Sequence, residues 1–213
     1  MSPTALVICG GGAVRRALPD ELDDAVVIAA DGGVAEAFRL GLAVDVLVGD
    51  MDSASADDIE RVVSGGGSVE RHDPDKDATD LDLAIDRAVR DGASRVVVLG
   101  GDGGRLDHLF GNLTLLAAPR WDSVEIDAVF GNALVHVVRA ERGLAGEVGE
   151  VVSLFALGGP AIGVTTTGLR WPLTDATLEA GSSLGVSNVF AETQVTVRVA
   201  GGVLVAIRPG EAP

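Results

Sequence analysis

The sequence predicts an α/β domain on a doubly wound, mostly parallel sheet, followed by a small all-β domain. Three observations carry that expectation. Short apolar, β-branched runs alternate with amphipathic stretches as far as Val129. After roughly residue 140 the helical periodicity stops. From there on, Gly pairs punctuate brief runs rich in Val and Thr.

The strand-forming runs of the first part are Ala5–Cys9, Ala25–Ala30, Val44–Val48, Arg95–Leu99 and Val124–Val129. The middle three are almost unbroken in apolar residues, as strands covered on both faces must be. Between them the clearest helix begins at Thr79. Leu81, Ala84, Ile85, Ala88 and Val89 form its apolar stripe, with Asp82, Asp86, Arg87 and Arg90 off it. Thr79 and Asp82 have the spacing of a capping box. A second helix is expected over Asp107–Ala117, turning Leu109, Leu113 and Leu116 inward. Strands alternating with helices lead to a mostly parallel sheet of Rossmann-like type, assigned to residues 1–140. Residues 141–213 hold the expected strands Val151–Ala156, Ile162–Thr167 and Val195–Val199. Gln194–Val199 alternates with period two, and Gly201-Gly202 before Val203–Ile207 is a hairpin signal. A sandwich-like β domain is expected there. Gly143–Gly149 reads as the junction, too short for a free linker.

The 213 residues carry a formal charge of −16, with 47% hydrophobic and 23% charged residues. That charge argues against nucleic acid, whose phosphates it repels. No apolar run is long enough to span a membrane. Met1–Thr4 leads directly into a strand and does not read as a signal peptide. Cys9 is the single cysteine, so no internal disulfide forms, and a cytoplasmic location is expected. Cys9, His72 and His136 read as structural.

The acidic residues are not evenly spread. Ligands of doubly wound sheets bind beyond the carboxyl ends of the strands. Asp31-Gly32-Gly33 follows the second strand, and Gly49-Asp50-Met51-Asp52-Ser53 the third. Asp77-Ala78-Thr79-Asp80 opens a helix, and Gly100–His108 follows a further strand. Taken singly, each has a plainer explanation. The first is a turn, the second a solvated loop, Thr79 a helix cap, and His108 with Asn112 a polar seam at i and i+4. Gly10-Gly11-Gly12 lacks the GxGxxG spacing and carries little weight. Four acidic clusters on one rim, however, repel one another unless a cation intervenes. Carboxylates on glycine-bearing turns are the donors that magnesium with a polyphosphate requires. The helix start near Asp107 and the Arg105 fork add anion-binding capacity. No GxxxxGK[ST] motif is present, which excludes a P-loop enzyme.

In this order the motifs resemble those of the thiamine pyrophosphokinase family. They are Asp31-Gly32-Gly33, Gly49-Asp50-Met51-Asp52-Ser53, Thr79-Asp80, and Gly103-Gly104-Arg105-Leu106-Asp107-His108 with Asn112. Gly168-Leu169-Arg170-Trp171-Pro172-Leu173 and Ser187-Asn188 extend the resemblance over nearly the whole chain. Met51 stands where the family usually has Phe, Lys76 where many members have Gln, and Leu83 where some have Lys.

The resemblance implies transfer of diphosphate from ATP to the hydroxyl of thiamine, giving thiamine diphosphate and AMP. It implies Asp50, Asp52 and Asp80 as magnesium and phosphate ligands, with Arg105 and Asp107 in the nucleotide or metal shell. Asp31, Gly32, Gly33, Ser53, Thr79, Gly103, Gly104, His108 and Asn112 would line the ATP site. Trp171, Ser187 and Asn188 would form the thiamine pocket, placed between the subunits of a homodimer. Asp52 and Asp80 are both candidates for the general base. For Trp171 two readings stay open, packing in the core and stacking on the cationic thiazolium ring. The rival functions are diphosphate transfer to a hydroxymethyl pterin and a non-catalytic sensor of thiamine or thiamine diphosphate.

Overall fold

The computed structural model describes residues 3–12, 14, 22 and 24–210. Two compact units emerge, Met1–Asn112 with Ser123–Gly131, and Leu113–Asp122 with Asn132–Pro213.

The first unit holds β1 (Thr4–Cys9), β2 (Val26–Ala30), α1 (Gly33–Arg39), β3 (Val46–Gly49) and α2 (Ala56–Ser64). It continues with β4 (Ser68–Arg71), α3 (Asp80–Arg90), β5 (Arg95–Leu99), the start of α4 (Leu106–Leu116), and β6 (Glu125–Phe130). The strands run parallel in the order β6-β5-β1-β2-β3-β4. Leu6, Ile8, Ile28 and Leu47 are almost fully buried, because helices pack on the strands that carry them, and Leu99 and Ile126 are as fully buried. The α3 stripe buries Leu81, Ala84, Ile85 and Ala88 against β1, β2 and β3. Its start is capped by Thr79, whose Oγ1 accepts the Asp82 N–H at 3.3 Å. On α4, Leu116 is buried and Leu109 and Leu113 half-buried, while Leu106 and Phe110 face water.

Strand β4 is absent from the sequence expectation. Its residues Ser-Val-Glu-Arg lie on the sheet edge and stay partly solvated, so they lack the apolar run that marks the interior strands.

The second unit contains a 3-10 turn (Pro119–Trp121), β7 (Ala133–Val138), β8 (Glu141–Ala145), β9 (Val151–Ala156) and β10 (Ala161–Thr167). Then come β11 (Ala176–Leu178), β12 (Asn188–Val189), β13 (Gln194–Arg198) and β14 (Leu204–Arg208). They pair antiparallel as β12-β9-β14-β7 and as β11-β10-β13-β8. One apolar core joins the two sets, with Phe190, Leu154, Leu144, Val197 and Leu204 all inside it.

Two expectations are corrected here. Gly143–Gly149 is not a junction, since its first part lies in β8, paired along β13. The Gly201-Gly202 signal does not make a hairpin. Strand β13 pairs with β8 and β10, whereas β14 pairs with β7 and β9. The chain crosses from one sheet to the other there, because Val195 and Val197 of β13 and Leu204 and Ala206 of β14 fill the same core. Among the described residues, no helix is long and apolar enough to cross a membrane.

Candidate active site

A cavity of about 450 Å³ opens at the carboxyl ends of the parallel strands. It is lined by Cys9 at the end of β1 with Gly10 and Gly11 following, by Asp31 and Gly32 after β2, and by Asp50 and Ser53 after β3. Lys76, Thr79 and Asp80 line it at the start of α3, and Gly101, Gly103, Arg105, His108 and Asn112 after β5. The local chain makes this possible through two close approaches. A Cβ on Gly49 would stand 2.9 Å from the Asp31 Cβ and 3.0 Å from Asp80 Oδ1, so glycine lets these carboxylates converge. A Cβ on Gly103 would stand 2.1 Å from the Gly11 carbonyl carbon, so the loops after β1 and β5 touch backbone to backbone.

Among the described residues, Asp31, Asp50 and Asp52 form an acidic group, with one carboxylate oxygen from each lying within 4.8 Å of the others. Asp31 is held in a left-handed conformation at φ 42, its N–H donating to Val48 O at 2.8 Å. Its Oδ2 accepts the Ser53 N–H at 3.2 Å, while its Oδ1 is buried with no hydrogen bond. Burial raises the Asp31 pKa, against the opposing pull of the Ser53 and Gly32 contacts, and the charges of Asp80 and Asp52 add to the rise. Asp50 shifts the other way, because the Asp52 N–H and Lys76 stabilise its charge against partial desolvation. Three carboxylates that each offer a hard oxygen donor suit a divalent cation, and Asp31 also holds a buried oxygen with no hydrogen bond.

Asp80, the third residue of the expected ligand set, meets Lys76 instead, with Nζ 2.7 Å from Asp80 Oδ1. The same ammonium lies 3.3 Å from Asp50 Oδ2. Burial works against the Lys76 charge, but Asp80 and Asp50 outweigh it and its pKa is raised. Beneath them Cys9 is buried, and desolvation, then the nearby Asp80 charge, pushes its thiol up to about 12. A thiol so raised stays protonated at neutral pH.

Arg105 forks onto Asp107 through Nη2 at 2.6 Å and Nε at 3.3 Å, in water at the cavity mouth. That contact lowers the Asp107 pKa to about 2. Asp107 itself does not line the cavity, nor do Asp52, Gly33 or Gly104. Gly33 is the first residue of α1, and Gly104 follows Gly103 in the β5–α4 loop. Asn112 donates to Gly101 O at 2.9 Å, which gives the polar seam of α4 a task in holding the β5 loop.

In the second unit Trp171, Ser187 and Asn188 come together. Asn188 is buried, accepts the Trp171 N–H at 3.1 Å and donates to Trp171 O at 2.7 Å. Ser187, at φ 57, donates its N–H to Ser153 Oγ. The Trp171 indole is 54% exposed, with the Arg170 guanidinium 4.9 Å from its ring centre. That removes the core-packing reading; Trp121 is the buried tryptophan.

Sequence reasoning gave too little weight to Gly10 and Gly11, whose signal is a glycine triplet directly after the first strand. It treated Lys76 only as a departure. Its i,i+4 spacing from Asp80 is local, whereas its contact with Asp50, 26 positions away, leaves no mark in local sequence.

Comparison with known proteins bears on this geometry. Residues 20–128 match the family model for the thiamin pyrophosphokinase catalytic domain, and residues 135–204 that for its vitamin B1 binding domain. The chain is 29% identical to thiamine pyrophosphokinase 1 of Oryza sativa subsp. japonica, over 75% of this chain and 64% of the relative. It is 32% identical to thiamine pyrophosphokinase 2 of Arabidopsis thaliana, over 72% of this chain and 61% of the relative. The match therefore spans less than two thirds of these plant proteins. The crystal structure of thiamine pyrophosphokinase from Bacillus subtilis superposes with a TM-score of 0.83 at 25% identity, covering 98% of this chain and 100% of that one.

Proposed function

The chain belongs to the thiamin pyrophosphokinase family, and from that premise we propose that it transfers the diphosphate of ATP to the hydroxyl of thiamine. The observation that carries this reading is the convergence of the Asp31, Asp50 and Asp52 carboxylates beside a cavity that Asp31 and Asp50 line together with the Gly10–Gly11 and Gly103 loops. Polyphosphate needs that pairing of hard carboxylate donors with backbone amides able to approach closely.

In this reading the expected 1–140 and 141–213 domains take the bounds of the two units. The first, Met1–Asn112 with Ser123–Gly131, is a Rossmann-like, doubly wound domain that binds ATP, and the second, which includes β7, a β-sandwich that binds thiamine. Backbone amides of the glycine loops and Arg105 hold the phosphates. Asp50, Asp52 and Asp80 remain the proposed ligand set, with Asp31 now beside them. A magnesium ion held there would neutralise phosphate charge and orient the chain of phosphates. The thiamine hydroxyl oxygen bonds to the β-phosphorus in line with the bridging oxygen to the α-phosphorus. That bridging bond breaks, AMP departs, and the hydroxyl proton passes to a carboxylate, Asp52 or Asp80. Positioning supplies most of the acceleration. Trp171 offers an exposed indole face to the cationic thiazolium ring.

Exposed Leu106 and Phe110 on α4, 80% and 64% accessible, support assembly into a homodimer. A cytoplasmic setting fits the single buried thiol. The deciding experiment measures AMP release with thiamine, with a hydroxymethyl pterin, and without acceptor. Release only with thiamine supports the proposal. Release with the pterin, or no release with any acceptor, overturns it in favour of the pterin enzyme or the sensor respectively.

A further inference from the structure

Lys76 is the only lysine in the chain, and it lies inside the acidic cavity with its side chain 14% exposed. Its ammonium spans two carboxylates from different segments, Asp80 at 2.7 Å and Asp50 at 3.3 Å. Asp50 is therefore shared. One set of contacts ties it to Lys76, and the other places it in the cluster with Asp31 and Asp52. A divalent cation at that cluster and an ammonium on Asp50 are like charges on one ligand, and they repel at short range in a partly desolvated cavity. A lysine is a point charge on a flexible four-carbon stem, so its ammonium can leave Asp50 without leaving Asp80.

We propose that Lys76 is a resident counter-cation. It neutralises Asp50 and Asp80 in the metal-free protein, yields Asp50 to an incoming divalent cation, and turns its charge toward the polyphosphate. Lys76 is then a positioning residue that weakens metal binding to the nucleotide-free site and strengthens binding of the anion. The proposal rests on the reading of Asp31, Asp50 and Asp52 as the metal cluster.

The test uses Lys76→Met and Lys76→Gln, so that failure of one to fold leaves the other. Mn2+ is titrated into nucleotide-free protein and followed by electron paramagnetic resonance. Melting temperatures are recorded with and without Mn2+, and tripolyphosphate binding is measured in EDTA. Both variants should bind Mn2+ at least about tenfold more tightly than wild type. Their melting temperatures should rise further on adding Mn2+ than the wild-type value does. Tripolyphosphate should bind at least about fivefold more weakly in EDTA, the loss of one phosphate-facing charge. A lysine that only pins the loop would lower the melting temperature equally with and without metal. Tight wild-type Mn2+ binding that the folded variants leave unchanged or weaken overturns the proposal alone. No Mn2+ binding by any of the proteins, or undiminished binding by Asp50→Asn, overturns the metal reading and this proposal with it.

Discussion

Gly11 and Gly103 meet with no room for a side chain between them: a Cβ on Gly103 would lie 2.1 Å from the Gly11 carbonyl carbon and 2.3 Å from its oxygen. The first-strand loop and the β5–α4 loop thereby form one continuous wall of backbone. Two segments more than ninety positions apart in sequence line the same cavity.

Gly103→Ala should force these loops apart. We expect kcat/KM for ATP to fall by about a hundredfold, the usual effect of displacing a binding element by an ångström. Stability should drop by about 1–3 kcal/mol from the backbone shift. Steady-state kinetics with urea unfolding checks both. An unchanged kcat/KM would mean the wall does not touch the nucleotide.

Asp50 belongs both to the acidic group and to the Lys76 contact, so Asp50→Asn should lower turnover by at least about a hundredfold. The fold should persist, because removing one carboxylate relieves repulsion among those that remain. Circular dichroism melts in EDTA, alongside the AMP assay, separate the two effects. Near-wild-type turnover would sink the assignment.

Trp171 is half exposed, so its replacement tests binding rather than packing. Trp171→Ala should raise the Michaelis constant for thiamine, a binding loss of about 1–2 kcal/mol, and leave that for ATP in place. Stability should change by no more than about 0.5 kcal/mol, as for other exposed positions. Equal losses for both substrates would remove Trp171 from the thiamine pocket.

Glu36 ties α1 to the segment after the glycine triplet. Its Oε1 accepts the Val14 N–H at 3.0 Å, and Arg39 donates to both its oxygens. The Arg39 contact is the main cause of its lowered pKa. A lowered carboxylate pKa means stability that is fully present above the ordinary value of 4.5 and is lost as pH falls through the folded-state value. Arg39 is half exposed, which leaves about 1 kcal/mol for the arrangement at pH 7. Glu36→Gln should cost that much at neutral pH, and the difference from wild type should shrink below pH 4.5. Urea unfolding across pH 3–7 measures it. A pH-independent difference would point to lost packing instead.

The proposed homodimer can be tested by complementation. Mixed Asp50→Asn and Trp171→Ala chains should regain up to about a quarter of wild-type sites if each site draws on two subunits and the chains exchange freely. Activity at the simple average of the two variants would place each site within one chain.

The chain's own residues determine much of this protein. Strands β1, β2, β3 and β5 are legible because burial on both faces demands unbroken apolar runs. Helix α3 is legible because one buried stripe and a Thr79 cap impose a 3.6-residue period. The acidic motifs declare themselves because so much like charge at successive strand ends needs a reason beyond solvation. Tertiary structure alone decides the rest. Edge strand β4 has a partner on one side and water on the other, so its pattern is weak. The Gly201-Gly202 turn joins two sheets because a shared core, which no local window contains, is filled from both sides. Asp31 joins Asp50 and Asp52, and Lys76 reaches Asp50, because β2 and β3 end, and α3 begins, at the same rim. Periodicity reports which face of an element is buried; only the packed sheet determines which loop ends come within a few ångströms of each other.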